Sequence, residues 1–389
     1  MQNVIKVLWE NYYKETPLTL WEFVKKQTRL TRLFYCVEEA LKRYDQVFYD
    51  NPLNTGELYL SGPIGTGKGT YSNIVMAYRL YLSMLLDDPK ERIFKFSGQA
   101  PLDLIYFGNR SDVYVQSLIH FIEGIQDPEN PIFYVNHTED CIEKENVIVI
   151  NTYNGKRFPT ANYKGNEVVL RWAKNNGGLV GANPLIVHLD CEDGLDSSTA
   201  WDYYQTIINR MEARFGRNKD LFTSLIIEKY PNNLYSDLMD QHIHNQKIRG
   251  AYLVETLAPP YMRDVNPKDA PANKYFIDIY TGCIDELSKE KDYMMKNPGG
   301  FTVRFPEFYE TSGGSINLLE MAKKNPKNFI NDFLGLPIPV PLATDFKVTD
   351  ALSALQTIKK LIEEYHIKLE FEQYGLYLTV PGSEIKIKV

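Results

Sequence analysis

The nine residues Gly62-Pro63-Ile64-Gly65-Thr66-Gly67-Lys68-Gly69-Thr70 have the composition of a phosphate-binding loop. Glycines let backbone N–H groups turn inward on phosphate oxygens. A helix opening at Gly67 or Lys68 would aim its positive dipole end at the same place. Lys68 adds a full charge for the β- and γ-phosphates. The usual Ser/Thr position after the lysine is held by Gly69, so the hydroxyl that reaches Mg²⁺ is assigned to Thr70. The competing reading is a Gly-rich turn with an incidental lysine. A strand-like Glu57 to Ser61 before the loop and a helical pattern after it favour the phosphate site.

A Mg²⁺–nucleotide site also needs a carboxylate at the end of a neighbouring strand. Pro184 to Leu189 is mostly apolar and delivers Asp190 at its carboxyl end, where α/β sheets bind ligands. Asp190 would hold Mg²⁺ through water. A general base should stand beside it. Cys191 intervenes, which leaves Glu192 as first candidate and Asp193 as second. A solvated acidic turn ahead of the helix from Thr199 would carry the same residues. Cys191 has no identifiable His partner and reads as a packing residue, and His188 as a core histidine. His242 and His244 lack a third metal ligand and read as surface residues. The loop contains no arginine, so a charge-stabilising arginine must come from elsewhere. Arg110, Arg171, Arg210, Arg214 and Arg217 remain, and Arg171 is selected as a finger acting on a neighbouring subunit, against the alternative of an ordinary solvated arginine.

The elements that must position these groups follow from patterning. Strand-like pieces at Arg92 to Phe96, Leu104 to Phe107, Val147 to Asn151, Leu185 to Leu189 and Leu225 to Ile227 alternate with helical ones. The helical stretches are Lys68 to about Leu86, Asp112 to Gly124 and Thr199 to Phe215. Such alternation predicts a mostly parallel sheet with crossover helices. Leu18 to Tyr49 reads as helical, and the tail from Thr349 as a helix followed by a hairpin over Lys368 to Val389. Division into residues 1–55, a core over 56–250, a lid or linker over 251–340 and a tail over 341–389 is expected.

With 389 residues, 44% hydrophobic and 24% charged, wholesale disorder is excluded. Four dispersed cysteines exclude a disulfide frame or a Cys-x-x-Cys zinc site. No apolar run reaches the roughly 18 residues of a membrane span, and Met1 to Leu20 lacks a signal-peptide core, so a soluble intracellular protein is expected. The net charge of −7 argues against bulk affinity for nucleic acid but not against a local basic track. Lys25, Lys26, Arg29 and Arg32, and Arg210, Arg214, Arg217 and Lys219, form two such clusters, each also consistent with a solvated helix face.

In their order, several stretches resemble the ATPase part of tailed-bacteriophage terminase large subunits, the motors that package DNA into procapsids. They are Ser61 to Thr70, Leu85 to Pro89, Phe96 to Leu104, Asp190 to Asp193 with Tyr203 to Phe215, Val303 to Tyr309, and Lys324 to Pro337. The resemblance covers roughly residues 57 to 340. It implies a P-loop NTPase core of the RecA-like additional-strand type, a mostly parallel sheet flanked by helices, and a small lid subdomain. ATP and Mg²⁺ are the implied cofactors. Double-stranded DNA, a portal protein and a terminase small subunit are the implied partners, in a homo-oligomeric ring in the cytoplasm of an infected host cell. A coupling motif ending in small hydroxyl residues is implied after the acidic strand, where this chain carries Ile227-Glu228-Lys229-Tyr230-Pro231. Full-length members also carry a C-terminal nuclease. Residues 340–389 are too few for one, and Asp345, Asp350, Glu363 and Glu364 read as ordinary helix and linker charges, so no nuclease activity is expected. Two alternatives stay open. The Lys-Gly-Thr ending of the loop also resembles adenylate kinases, and a nucleotide-binding assembly protein without turnover would carry the same loop.

Overall fold

The structure is a computed structural model. It describes residues 4–27, 33–95, 101–108, 110–153, 158–191, 197–216, 219–229, 242, 253–264, 273–279, 282–286, 300–311, 313–336, 368–372, 375–379 and 386–388.

Three helices open the chain: α1 (Val4–Tyr12), α2 (Leu20–Lys26) and α3 (Tyr35–Asp50). The helical stretch expected over Leu18 to Tyr49 consists of α2 and α3. Thr19 and Glu22 form a capping box that starts α2. Gln27 then leaves helical geometry at φ −89°, ψ 86°, and α3 starts afresh at Tyr35. The apolar three-and-four spacing continues through the break because both helices face one core, with Phe23, Val37, Leu41 and Phe48 all buried.

Strand β1 (Glu57–Ser61) feeds the Gly-rich loop and helix α4 (Lys68–Leu85). Buried side chains occupy every side of α4, from Ile74 and Val75 to Leu80 and Leu85, as expected of a central helix. Where a strand is expected at Arg92 to Phe96, Arg92 and Ile93 instead end a wide helical turn, Pro89–Ile93, with Pro at its first position and the Asp88 side chain accepting from Glu91 N; Phe96 lies outside the described residues.

The sheet then builds from β2 (Leu102–Phe107), β3 (Phe133–Asn136), β4 (Ile148–Asn151), β5 (Thr160–Tyr163), β6 (Asn166–Ala173), β7 (Pro184–Asp190), β8 (Ser224–Lys229) and β9 (Leu253–Thr256). Helices α5 (Ser111–Ile125) and α6 (Ser197–Phe215), with the short α7 (Lys219–Phe222), connect them. Nine strands lie in the order β3-β4-β5-β6-β2-β7-β8-β1-β9. All neighbours are parallel except that β5 runs against both of its own. The core sheet runs on past residue 250, since β9 pairs with β1. Strand β8 stands between β1, which leads into the loop, and β7, which ends in Asp190. That inserted strand and the flanking helices make the fold a P-loop NTPase of the RecA-like additional-strand type.

A second apolar cluster follows in the same compact unit, residues 1–339. It packs β10 (Asn273–Asp278) and β12 (Gly300–Phe305) against the helix Leu318–Lys324 and the turn Phe329–Phe333; β11 (Ile284–Glu286) pairs with β10 beside them. Aromatic rings dominate it: Tyr275 stacks on Phe305 at 4.4 Å, and Phe305 meets Phe329 edge-on at 4.9 Å. The unit of residues 340–389 contains a three-stranded antiparallel sheet, Lys368–Glu372, Gly375–Thr379 and Lys386–Lys388. The expected hairpin is there with one more strand. The helix expected from Thr349 and the charges at 345, 350, 363 and 364 lie outside the described residues.

Candidate nucleotide site

The loop leaves β1 at Ser61 and enters α4 at Lys68. Gly67 caps α4 with φ +94°, a left-handed conformation. A side chain there would meet Val37 Cγ2 at 2.8 Å and Phe34 at 3.0 Å, so only glycine satisfies both the backbone and the packing. No side chain caps this helix end, and its first N–H groups have no helical acceptor, which suits an anion. Lys68 is 6% exposed, and its ammonium donates to the carbonyls of Gly62 (2.9 Å) and Pro63 (3.2 Å). Thr66 Oγ1 donates to Pro63 O at 3.0 Å, holding the turn. Not every amide turns inward, since Ile64 N donates to Asp332 O at 3.1 Å.

Register carries the acidic strand to the same edge. Leu60 pairs with Glu228, and Glu228 with Asp190, so the ends of β1, β8 and β7 are level. Asp190 is 1% exposed. Gly108, just past β2, approaches it so closely that a Cβ there would lie 3.2 Å from the Asp190 Cβ and main-chain oxygen. Sequence reasoning missed Gly108, because nothing local marks a glycine that serves a strand some 80 residues away. The Thr70 hydroxyl and the Asp190 carboxylate are oxygen donors of the kind Mg²⁺ takes alongside nucleotide phosphates. Among the described residues no group of three or more His, Cys, Asp or Glu could hold a metal ion alone. Glu192 and Asp193 lie outside the described residues.

A cleft of about 800 Å³ opens beside Gly69 and Thr70, between α4, α5 and the sheet. Tyr106, His188 and Glu228 line it, and all three share the sheet face covered by α4. His188 is buried as expected, but it is not a bystander: its Nε2 lies 3.0 Å from Glu228 Oε2. Burial pushes the Tyr106 phenol well above its usual range, and the Glu228 charge adds to that. Tyr106 accordingly stays a donor, to Asn73 Oδ1 at 2.9 Å. Cys191 is buried, in keeping with a packing role.

Two other expected residues stand elsewhere. Arg171 lies within β6 and is bound inside its own chain, with Nε and an η-nitrogen each 3.1 Å from Asp103 Oδ1 and its guanidinium over Phe158 at 5.1 Å. Two such contacts to a fully buried carboxylate engage this guanidinium within its own chain. His242 is half-buried rather than a surface residue, accepting or donating at 2.8 Å with Tyr204 Oη and packed against the rings of Trp201 and Tyr204. His244 lies outside the described residues. Sequence reasoning also missed Arg263, which donates to Gly65 O at 3.1 Å and stacks over Phe34 at 4.1 Å. Of the basic clusters, Lys25, Lys26 and Arg214 are exposed and Arg210 is half-buried.

The loop, the inserted strand and the level strand ends define a nucleotide-binding P-loop fold. No family model and no curated protein matches the chain. Among solved structures it is similar to the large terminase of a thermophilic bacteriophage, with 9% identity, a TM-score of 0.38, and 61% of this chain and 48% of that one covered. The same terminase with ADP covers 61% and 48% at 9% identity and a TM-score of 0.37, and with ATP-γ-S 58% and 45% at 9% and 0.36. The chain thus spans about half the length of that protein. Among the described residues no helix is long and apolar enough to cross a membrane.

Proposed function

We propose that this chain is an ATP-hydrolysing motor subunit that moves double-stranded DNA, the ATPase part of a terminase large subunit acting on a viral procapsid. The observation that supports it most is the level edge formed by β1, β8 and β7: β1 leads into the loop that carries Lys68 and Thr70, β7 ends in Asp190, and β8 lies between the two strands. Lys68 and the inward loop amides would bind the triphosphate. Thr70 and Asp190 would hold Mg²⁺, which neutralises charge on the β- and γ-phosphates when bound. Glu192, two residues past the strand end, would take the proton of the attacking water, with Asp193 as second candidate. The charge-stabilising arginine comes from a neighbour in a homo-oligomeric ring, and Arg171 is left out of that role. Portal protein and small subunit are the proposed assembly partners, in the infected cell's cytoplasm.

Steady-state ATP hydrolysis with and without double-stranded DNA tests this. Wild type should turn ATP over faster with DNA. Lys68→Ala should lose binding and turnover, and Glu192→Gln turnover alone. Phosphate transfer to AMP in place of hydrolysis would replace the motor with a nucleotide kinase.

A further inference from the structure

Glu228 touches both halves of the nucleotide site. Its carboxylate Oε2 lies 3.3 Å from Ser72 Oγ, whose one proton it shares with Gly69 O at the same distance, and Ser72 follows Lys68 by one turn on α4. The same oxygen meets His188 Nε2 at 3.0 Å, and His188 precedes Asp190 by two residues on the same face of β7. The main-chain oxygen of Glu228 accepts from Cys191 N at 2.9 Å, immediately after Asp190. One residue thus grips the phosphate-binding helix on one side and brackets the acidic strand end on the other.

Packing alone does not call for a carboxylate here. Glu228 is 8% exposed, its face neighbour on β8 is the buried Ile226, and desolvating a carboxylate is unfavourable unless its partners compensate. His188 is 2% exposed, and its Nδ1 is buried with no hydrogen-bond partner among the described residues, so the Glu228 contact there is what anchors the ring's polar edge. Tyr106 at 4.9 Å and Tyr114 at 6.0 Å hold the ring faces.

We infer that Glu228, through Ser72 and His188, is a positioning residue: it sets Asp190 against the first turn of α4 and thereby governs how much Mg²⁺ strengthens nucleotide binding. The inference rests on the ATP reading above. It concerns the metal-dependent part of affinity, because the metal-independent part comes from Lys68 and the loop amides, which lie outside the contacts Glu228 makes with Ser72, His188 and Cys191.

The test is the Kd of a fluorescent ATP analogue with Mg²⁺ and with EDTA, beside a thermal melt of each protein without nucleotide. In Glu228→Ala the tightening caused by Mg²⁺ should fall by about tenfold, at the low end of the roughly 10–100-fold that losing a partner behind a metal ligand costs in metal affinity. Affinity in EDTA should stay within about twofold of wild type, as the loop is unchanged. Glu228→Gln, whose amide can still accept from Ser72 and meet His188, should recover most of the tightening. An undiminished Mg²⁺ effect in Glu228→Ala overturns the inference, as does an equal loss with and without Mg²⁺. If Glu228→Ala does not fold, Ser72→Ala decides, and there too an undiminished Mg²⁺ effect overturns it. A wild type that binds the analogue in neither condition sinks the ATP reading and the inference together. A wild type that binds it equally in both sinks the inference alone.

Discussion

Two buried acids on one sheet make an instructive pair. Asp103, near the start of β2, is fully buried and entirely engaged: Asn183 N donates to one oxygen at 2.6 Å and Arg171 to the other. Glu228, near the end of β8, has a hydroxyl and an imidazole on its carboxylate and lines an open cleft. The first acid is closed off by a guanidinium and a backbone amide, which suits a fixed joint between strands. The second is held by lighter partners at the wall of an open cleft, which suits a place whose contacts can change. Burial alone does not separate the two; the strength and attachment of the partners do.

Breaking each side should give different signatures. The largest effect belongs to the loop. Lys68→Ala should weaken ATP binding by roughly 100-fold or more, read by nucleotide titration, since a charge-assisted contact to phosphate in a buried site is lost. Arg171→Ala should cost about 3 kcal/mol of stability in urea unfolding, because Asp103 is left buried without its cation. Nucleotide affinity should hardly change, and a large change would place Arg171 at the site after all.

A smaller effect concerns pH. Burial raises the Asp103 carboxyl above its ordinary value, and Asn183 and Arg171 pull it back only in part. The folded state therefore keeps this proton over a window just above the unfolded-state pKa of about 4, so stability falls as pH rises through that window. Asp103→Asn should flatten this part of the curve in urea melts from about pH 3.5 to about pH 6, and an unchanged slope would assign it to another group. The smallest expected effect is at Gly69, where a Cβ would meet nothing within 4 Å. Gly69→Ala should stabilise the protein by roughly 0.5–1 kcal/mol through helix propensity, and a loss of ATP affinity alongside it would show that the ligand, not the fold, requires glycine.

The parts of the site legible in the sequence are those carried by short contiguous stretches. The loop from Gly62 to Thr70 and the strand ending in Asp190 each announce themselves locally, as do α4, α5 and α6 to within a few residues. What joins residues across strands is not legible. Arg171 reads as a solvated arginine or a finger because its partner lies 68 positions earlier. Glu228 reads as a departure from a hydroxyl motif because its meaning depends on Ser72 and His188, on two other elements. Strands β3, β5, β6 and β9 escape a reading of the sequence because they are short or mixed in polarity, and the pairing of neighbours defines them more than their own pattern does.

The phosphate loop is finished by residues made long after it. Gly335 packs so tightly on Pro63 that a Cβ would lie 2.7 Å from its ring, Asp332 takes the Ile64 amide, and Arg263 holds the Gly65 carbonyl. These partners follow the loop by some 200 to 270 positions. On the ribosome, at roughly 5–20 residues per second, the loop therefore waits tens of seconds for its outer wall. The finished loop exists only when nearly the whole compact unit has emerged, which ties its completion to the end of that unit's synthesis rather than to its beginning.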